Sequence, residues 1–246
     1  MTKTLISCIC VTRKRPLLLQ RAIACFDAQT YAHKELVLLY ESDDQETEAV
    51  VRLLLPRADI TVIRMDRTER RKLGYLRNKA IDAAKGMFVC QWDDDDWHHA
   101  ERLTCQYGAV RSRSLRGCIL SRWVIFDSLS GRAYLSSERP WEGSLLCERS
   151  LLLENRYENL AKGEDTPVIR NLYERHLLIP MPDKPYLYIY VAHGRNTWER
   201  NHFCDIFRYG RRLQESSCRL IADALGRESP VRKYSVLLSD LFTGMS

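Results

Sequence analysis

Met87-Phe88-Val89-Cys90-Gln91-Trp92-Asp93-Asp94-Asp95-Asp96-Trp97 is the stretch that decides the fold of this chain. A short apolar run of strand length delivers four consecutive aspartates to what reads as a sheet edge, and a tryptophan closes them. Unit charges about 5 Å apart repel by roughly 3 kcal/mol at an effective dielectric of about 20, so the cluster calls for a compensating charge. In extended geometry Asp93 and Asp95 share one side, and Asp94 and Asp96 the other. Paired carboxylates on one side make a hard-oxygen site suited to Mg2+ or Mn2+. The competing reading is an acidic, solvated loop. The strand in front and the aromatic behind favour a metal site.

Outward from this stretch, strands and helices alternate. Leu5 to Val11 reads as a strand, and Arg15-Pro16 opens a helix to about Gln29 with Leu18, Ala22 and Phe26 in register. Glu35 to Tyr40 is a second strand, followed by the acidic turn Glu41-Ser42-Asp43-Asp44 and a helix to Leu55. Ile60 to Met65 is a third strand, and Lys72 to Lys85 a helix closed by Gly86. A further helix after the aspartates carries Ala100, Leu103, Tyr107 and Val110. This alternation predicts an α/β fold, a mostly parallel sheet covered on both faces, with ligands beyond the carboxyl ends of its strands. Thr12-Arg13, Glu41 and the aspartates all fall at such ends. No glycine-rich dinucleotide or phosphate-loop motif is present.

The bulk composition agrees. The 246 residues are 45% hydrophobic and 28% charged, globular values that exclude a disordered or fibrous chain. Nine cysteines show no paired CxxC spacing, and Cys8, Cys10 and Cys90 lie inside apolar runs, so reduced thiols and a cytoplasmic setting are expected. No leader precedes the first strand and no apolar run approaches bilayer width. A net charge of +6 suits an anionic substrate or the inner face of a membrane; the dispersed basic residues do not point to nucleic acid.

Several motifs together resemble a known family. Thr12-x-x-Arg15-Pro16, Ala28-Gln29-Thr30-Tyr31, the strand running into Glu41-Ser42-Asp43-Asp44, Gly74-Tyr75-Leu76-Arg77-Asn78-Lys79-Ala80 and Asp93-Asp94-Asp95-Asp96-Trp97 stand in the order of family 2 glycosyltransferases. The likeness is dense over residues 4 to 115 and sparser beyond. It implies a GT-A (Rossmann-like) domain over 1–200, with a nucleotide half to about 115 and an acceptor half from 116. A helical extension over 201–246 would pack on it. It implies transfer of a sugar, with inversion, from a nucleotide-sugar donor, as a family expectation a UDP-sugar, to a saccharide or lipid-linked acceptor. Surface polysaccharide synthesis is a common setting for the family.

The resemblance also distributes roles. Thr12, Arg13 and Arg15 would border the donor; Glu41 stands where the family usually has a base-holding aspartate; Arg77 would reach the diphosphate through its planar fork. Asp93 and Asp94 would face the donor, and Asp95 with Asp93 and His193 would hold the Mn2+ or Mg2+. Asp165, before the helix opened by Thr166-Pro167, would be the catalytic base, with Glu164 positioning it or binding acceptor. From the residues alone, this acidic pair fits a simple complement to a helix dipole equally well. Trp141 and Glu142 are acceptor-side candidates, with Trp141 equally suited to a core. His193 reads either as a ligand or as a structural hydrogen-bonder, and His98 and His99 as capping or surface residues. Asn201 to Leu225 reads as a helix of mixed face, fit to pack on the domain, between subunits of a homo-oligomer, or against an anionic membrane. The alternatives are a sugar nucleotidyltransferase, which would want a glycine-rich phosphate loop, and a non-catalytic nucleotide- or carbohydrate-binding domain.

Overall fold

Apolar runs buried on both faces build the central strands. A computed structural model describes residues 4–243; the first three residues of the expected 1–200 domain and the last three of the 201–246 extension lie outside the described residues. The first part runs β1 (Ile6–Val11), α1 (Pro16–Asp27), β2 (Lys34–Glu41), α2 (Gln45–Leu54), β3 (Ile60–Met65), α3 (Leu73–Ala83) and β4 (Phe88–Gln91). The middle holds β5 (Trp97–His98), α4 (Arg102–Arg113), β6 (Gly117–Leu120), β7 (Val124–Asp127), β8 (Arg132–Leu135) and β9 (Leu146–Glu148). Then come α5 (Arg149–Glu154), α6 (Thr166–Glu174), β10 (Leu178–Met181), β11 (Tyr188–Ala192), α7 (Arg200–Tyr209), β12 (Arg211–Arg212), α8 (Glu215–Ala224) and α9 (Val231–Thr243).

The main sheet has seven strands in the order β10-β6-β9-β4-β1-β2-β3. Its strands are parallel except β9, which runs against both β4 and β6. Cys8, Cys90, Phe26 and Leu103 pack on one face, and Val37, Val89, Ile81 and Ile169 on the other. Each fully buried Leu, Ile or Phe contributes about 1.5–3 kcal/mol. Chain order reverses between β1 and β4, so their carboxyl ends, at Thr12 and Asp93, open a crevice between them.

A second sheet, β12-β8-β7-β11-β5, was not legible in the alternation of strands and helices. Its parts correct several expectations. His98 and His99 are 0% and 1% exposed, because β5 pairs with β11 and draws them inside. His98 bonds the Asp93 carbonyl at 3.2 Å, and His99 bonds the Ser235 carbonyl of α9 at 2.7 Å. The helix expected from Asn201 to Leu225 is broken after Tyr209, where β12 joins β8. Phe203, Leu213 and Ile221 of this segment, and Leu238 of α9, join the same apolar cluster as Trp97 and Tyr188. The α3 helix ends at Ala83, short of Lys85, and Gly86 donates its N–H to Ser7 Oγ on β1 at 2.9 Å. Among the described residues no helix is long and apolar enough to cross a membrane.

Candidate active site

The four aspartates do not continue the strand. The chain turns after Trp92, and the carboxylates divide among Arg77, Arg15 and Tyr188 instead of alternating sides, with Arg15 shared by Asp94 and Asp95. Asp93 Oδ1 accepts from Arg77 Nη2 at 2.8 Å. Asp94 is 1% exposed; its Oδ2 accepts from Thr12 Oγ1 at 2.6 Å and its Oδ1 pairs with Arg15 Nη2 at 3.0 Å. Asp95 pairs with Arg15 Nη1 and accepts from His193 Nε2 at 3.1 Å, while Arg21 Nη2 bonds its carbonyl at 2.5 Å. Asp96 turns inward, accepting from the Tyr188 hydroxyl and, at 2.9 Å, from the Val191 N–H. Asp96 therefore ties the loop to β11.

These partners separate the acids electrostatically. Burial raises Asp94 to about 7 against the opposing charge of Arg15. Burial raises Asp93 too, with Arg77 opposing, and raises Asp96 well above the carboxylate range. Burial also acts to raise Asp95, but the His193 hydrogen bond and the Arg15 charge bring it down to about 2. Asp95 is thus the member held ionised throughout the neutral range. Burial works against the Arg15 guanidinium, yet Asp95 and Asp94 raise its pKa overall.

Arg77 is the second hub. It projects from α3, 8% exposed, and besides Asp93 meets Glu164 Oε1 at 2.7 Å and Asp165 Oδ2 at 3.2 Å. Gly74 makes this possible, since a Cβ there would lie 1.8 Å from the Glu158 carbonyl oxygen; its absence lets α3 press against the loop bearing the acid pair. Arg77 is engaged by three carboxylates, so its expected reach to a diphosphate is not what this arrangement shows. Asp165 sits in the N-cap position of α6 but makes no side-chain cap bond, and Thr166 is the first helical residue. Its carboxylate points to Arg77, so complementing the helix end is not its main contact. Burial raises Glu164, with Arg77 opposing.

A cavity of about 280 Å3 lies between these hubs, lined by Arg15, Arg77, Asp93 to Asp96, Trp141, Glu142, Glu164 and Asp165. Trp141 is both core and wall: it stacks on Trp123 at 4.9 Å and borders the cavity. Burial raises Glu142. Thr12, Arg13 and Glu41 do not line this cavity. Thr12 is spent on Asp94, and Arg13 pairs with Glu41 and, at 2.9 Å, with Asp43.

The expected ligand trio Asp93, Asp95 and His193 is not brought together. Among the described residues no three His, Cys, Asp or Glu side chains are arranged to hold an ion. The turn sends Asp93 to Arg77 and leaves only Asp95 beside His193. The Arg195 N–H donates to His193 Nδ1 at 3.2 Å, so the bond network places the ring proton on Nε2, aimed at Asp95. Residues missed by sequence reasoning include Arg21, Tyr188 and Asn196, whose amide reaches Asp95 Oδ2 at 3.5 Å. Asn196 stands three residues after His193, the one signal that pointed to it.

A mostly parallel sheet flanked by helices, with an acid-lined crevice at the strand-order reversal, is the GT-A arrangement. The family model for glycosyl transferase family 2 matches residues 7–169. The chain belongs to that family. S. aureus TarS superposes with a TM-score of 0.59 at 18% identity, covering 89% of this chain and 42% of that one, so this chain spans under half of TarS. TarS 1–349 in complex with UDP-GlcNAc gives 0.58 at 18% identity, covering 90% of this chain and 72% of that one. The mannosyltransferase PcManGT from Pyrobaculum calidifontis, in complex with GDP-Man and Mn2+, gives 0.60 at 14% identity, covering 100% of this chain and 77% of that one. No curated protein sequence matches the chain.

Proposed function

We propose that the chain is a metal-dependent, inverting glycosyltransferase that moves a sugar from a UDP-sugar to a hydroxyl of a saccharide or lipid-linked acceptor. The observation that carries this reading is the placement of two acids around one crevice: Asp95 held ionised near Arg15, and Asp165 beside Arg77. The donor preference follows the TarS complex with UDP-GlcNAc; the GDP-Man complex of the mannosyltransferase keeps a guanine donor as the alternative.

A Mn2+ or Mg2+ ion fits the donor set, because such ions are commonly held by one or two carboxylates and completed by substrate phosphates. Asp95 would hold it, with His193 beside it orienting the carboxylate. When bound, the ion neutralises charge on the departing diphosphate. Arg15 keeps Asp94 and Asp95 in place, and Arg77 holds Asp93, Glu164 and Asp165 in one cluster. Asp165 takes the acceptor hydroxyl proton as the oxygen attacks the anomeric carbon, and the bond from that carbon to the diphosphate breaks in the same displacement. One displacement inverts the centre, and no covalent intermediate is required. Trp141 and Glu142 border the acceptor path. The described part of the C-terminal segment, 201–243, serves as an extension packed on the transferase domain.

The test is UDP release from a panel of UDP-sugars with and without Mn2+, in wild type and Asp165→Asn. The reading expects at least one turned-over donor and a loss of about 10²–10⁴-fold in the variant. Turnover unchanged in Asp165→Asn would remove the base assignment.

A further inference from the structure

The acceptor-side wall of the crevice carries groups that the transfer step leaves unused. Arg139, Lys162, Trp198 and His202 all line the cavity. Arg15 and Arg77 are neutralised by carboxylates, whereas Arg139 has no carboxylate within ion-pair distance among the described residues; its guanidinium lies 5.3 Å from the Trp123 ring centroid. Lys162 sits 5.2 Å from the Trp198 ring centre and meets Glu199 only at 3.9 Å. Trp198 stacks on His202 at 4.6 Å and 16° and remains 37% exposed.

Two buried nitrogens on this wall lack any hydrogen-bond partner, Trp141 Nε1 and His202 Nε2. Trp141 itself is 8% exposed. A Cβ built on Gly143 would lie 3.0 Å from Trp141 Nε1 and 3.3 Å from Asp93 Oδ2, so the indole nitrogen and Asp93 flank the same glycine at the crevice. Buried donors are rarely left unmade, and an orphan bordering a cavity marks where a ligand oxygen goes. An aromatic face with two under-neutralised cations beside it is a site for a sugar ring bearing an anion. Two cations suit phosphate, at up to about two negative charges, better than a single carboxylate.

Resting on the transferase reading above, we propose that the acceptor is a phosphate-bearing saccharide, its phosphate held by Arg139 and Lys162 and its ring laid on Trp198. Arg15 and Arg77, which border the same cavity, are already engaged by carboxylates and are distinct from this pair.

The test titrates glucose 6-phosphate, glucose and inorganic phosphate into the protein, first alone and then saturated with UDP and Mn2+, reading tryptophan fluorescence. Wild type is compared with Arg139→Gln. Glucose 6-phosphate is expected to bind at least about tenfold more tightly than either glucose or phosphate, and Arg139→Gln to remove that advantage while UDP affinity stays unchanged. Equal affinity for glucose and its phosphate, or an advantage that survives in the variant, overturns the proposal. Inorganic phosphate binding as tightly as the sugar phosphate overturns the saccharide part. A loss of UDP affinity in Arg139→Gln overturns it as well, by assigning Arg139 to the donor diphosphate. Failure of UDP to bind wild type would sink the transferase reading instead, and the titrations without UDP still decide this one.

Discussion

Replacing Arg77 by methionine removes the one cation shared by Asp93, Glu164 and Asp165 while keeping most of its volume. The three contacts lie at 2.8, 2.7 and 3.2 Å. With charge centres about 4 Å apart and an effective dielectric of about 20, each attraction is worth about 4 kcal/mol before desolvation is counted. The net loss is smaller, because the stranded carboxylates can take up protons at about 1.4 kcal/mol per unit of pKa shift. Removing one partner of a buried pair typically costs about 3–5 kcal/mol, the figure expected here at pH 8. For a chain of this size that lowers the melting temperature by about 10 °C. The sign with pH follows from Asp93 and Glu164, which burial raises and Arg77 opposes. Without Arg77 their folded pKa values climb further above the unfolded ones, so the folded state binds more protons. Stability is then lost as pH rises from about 4 through those folded values, and recovered toward pH 5. Thermal melts of Arg77→Met and wild type at pH 5 and pH 8, in EDTA, measure this. An equal depression at both pH values, or none at pH 8, would refute the account of Arg77 as the counter-charge of this cluster.

Asp96→Asn keeps an acceptor for the Val191 N–H and a donor for the Tyr188 oxygen, so the variant is expected to fold and to bind nucleotide like wild type by calorimetry. Lost nucleotide binding with an intact melt would place Asp96 among the ligands. Asp94, raised to about 7 by burial, makes the metal-free protein lose stability as pH rises from about 4 to 7. Asp94→Asn should flatten that part of the melting profile, and an unchanged slope would assign the pH dependence elsewhere.

The α/β alternation was legible because β1 to β4 are apolar runs separated by helices with a 3.6-residue period, and Pro16 marks the start of α1. The crevice followed, since Thr12 and Asp93 fall at neighbouring carboxyl ends. What the aspartates touch was not legible: Arg15 and Asp95 are 80 residues apart, and Tyr188 and Asp96 are 92. Two-residue strands such as β5 and β12 exist only through their pairing and leave no periodic trace. Arg102 shows the same limit. It is 0% exposed, bonded to His98 Nδ1 at 2.7 Å and Gln106 Oε1 at 3.0 Å, where helical spacing alone would place an arginine in solvent. The turn at the aspartates defeated strand alternation because it carries the four acids to buried partners (Arg77 for Asp93, Arg15 for Asp94 and Asp95, Tyr188 for Asp96) that a shared side would not reach.

The most direct test of the central claim is calorimetric titration of UDP into the protein with Mn2+, with EDTA, and into Asp95→Ala with Mn2+. The account predicts binding that needs Mn2+ and vanishes in the variant, since Asp95 is the ionised carboxylate poised between Arg15 and His193. UDP binding of equal strength in EDTA, or undiminished in Asp95→Ala, would contradict a metal-bridged donor site built on this residue.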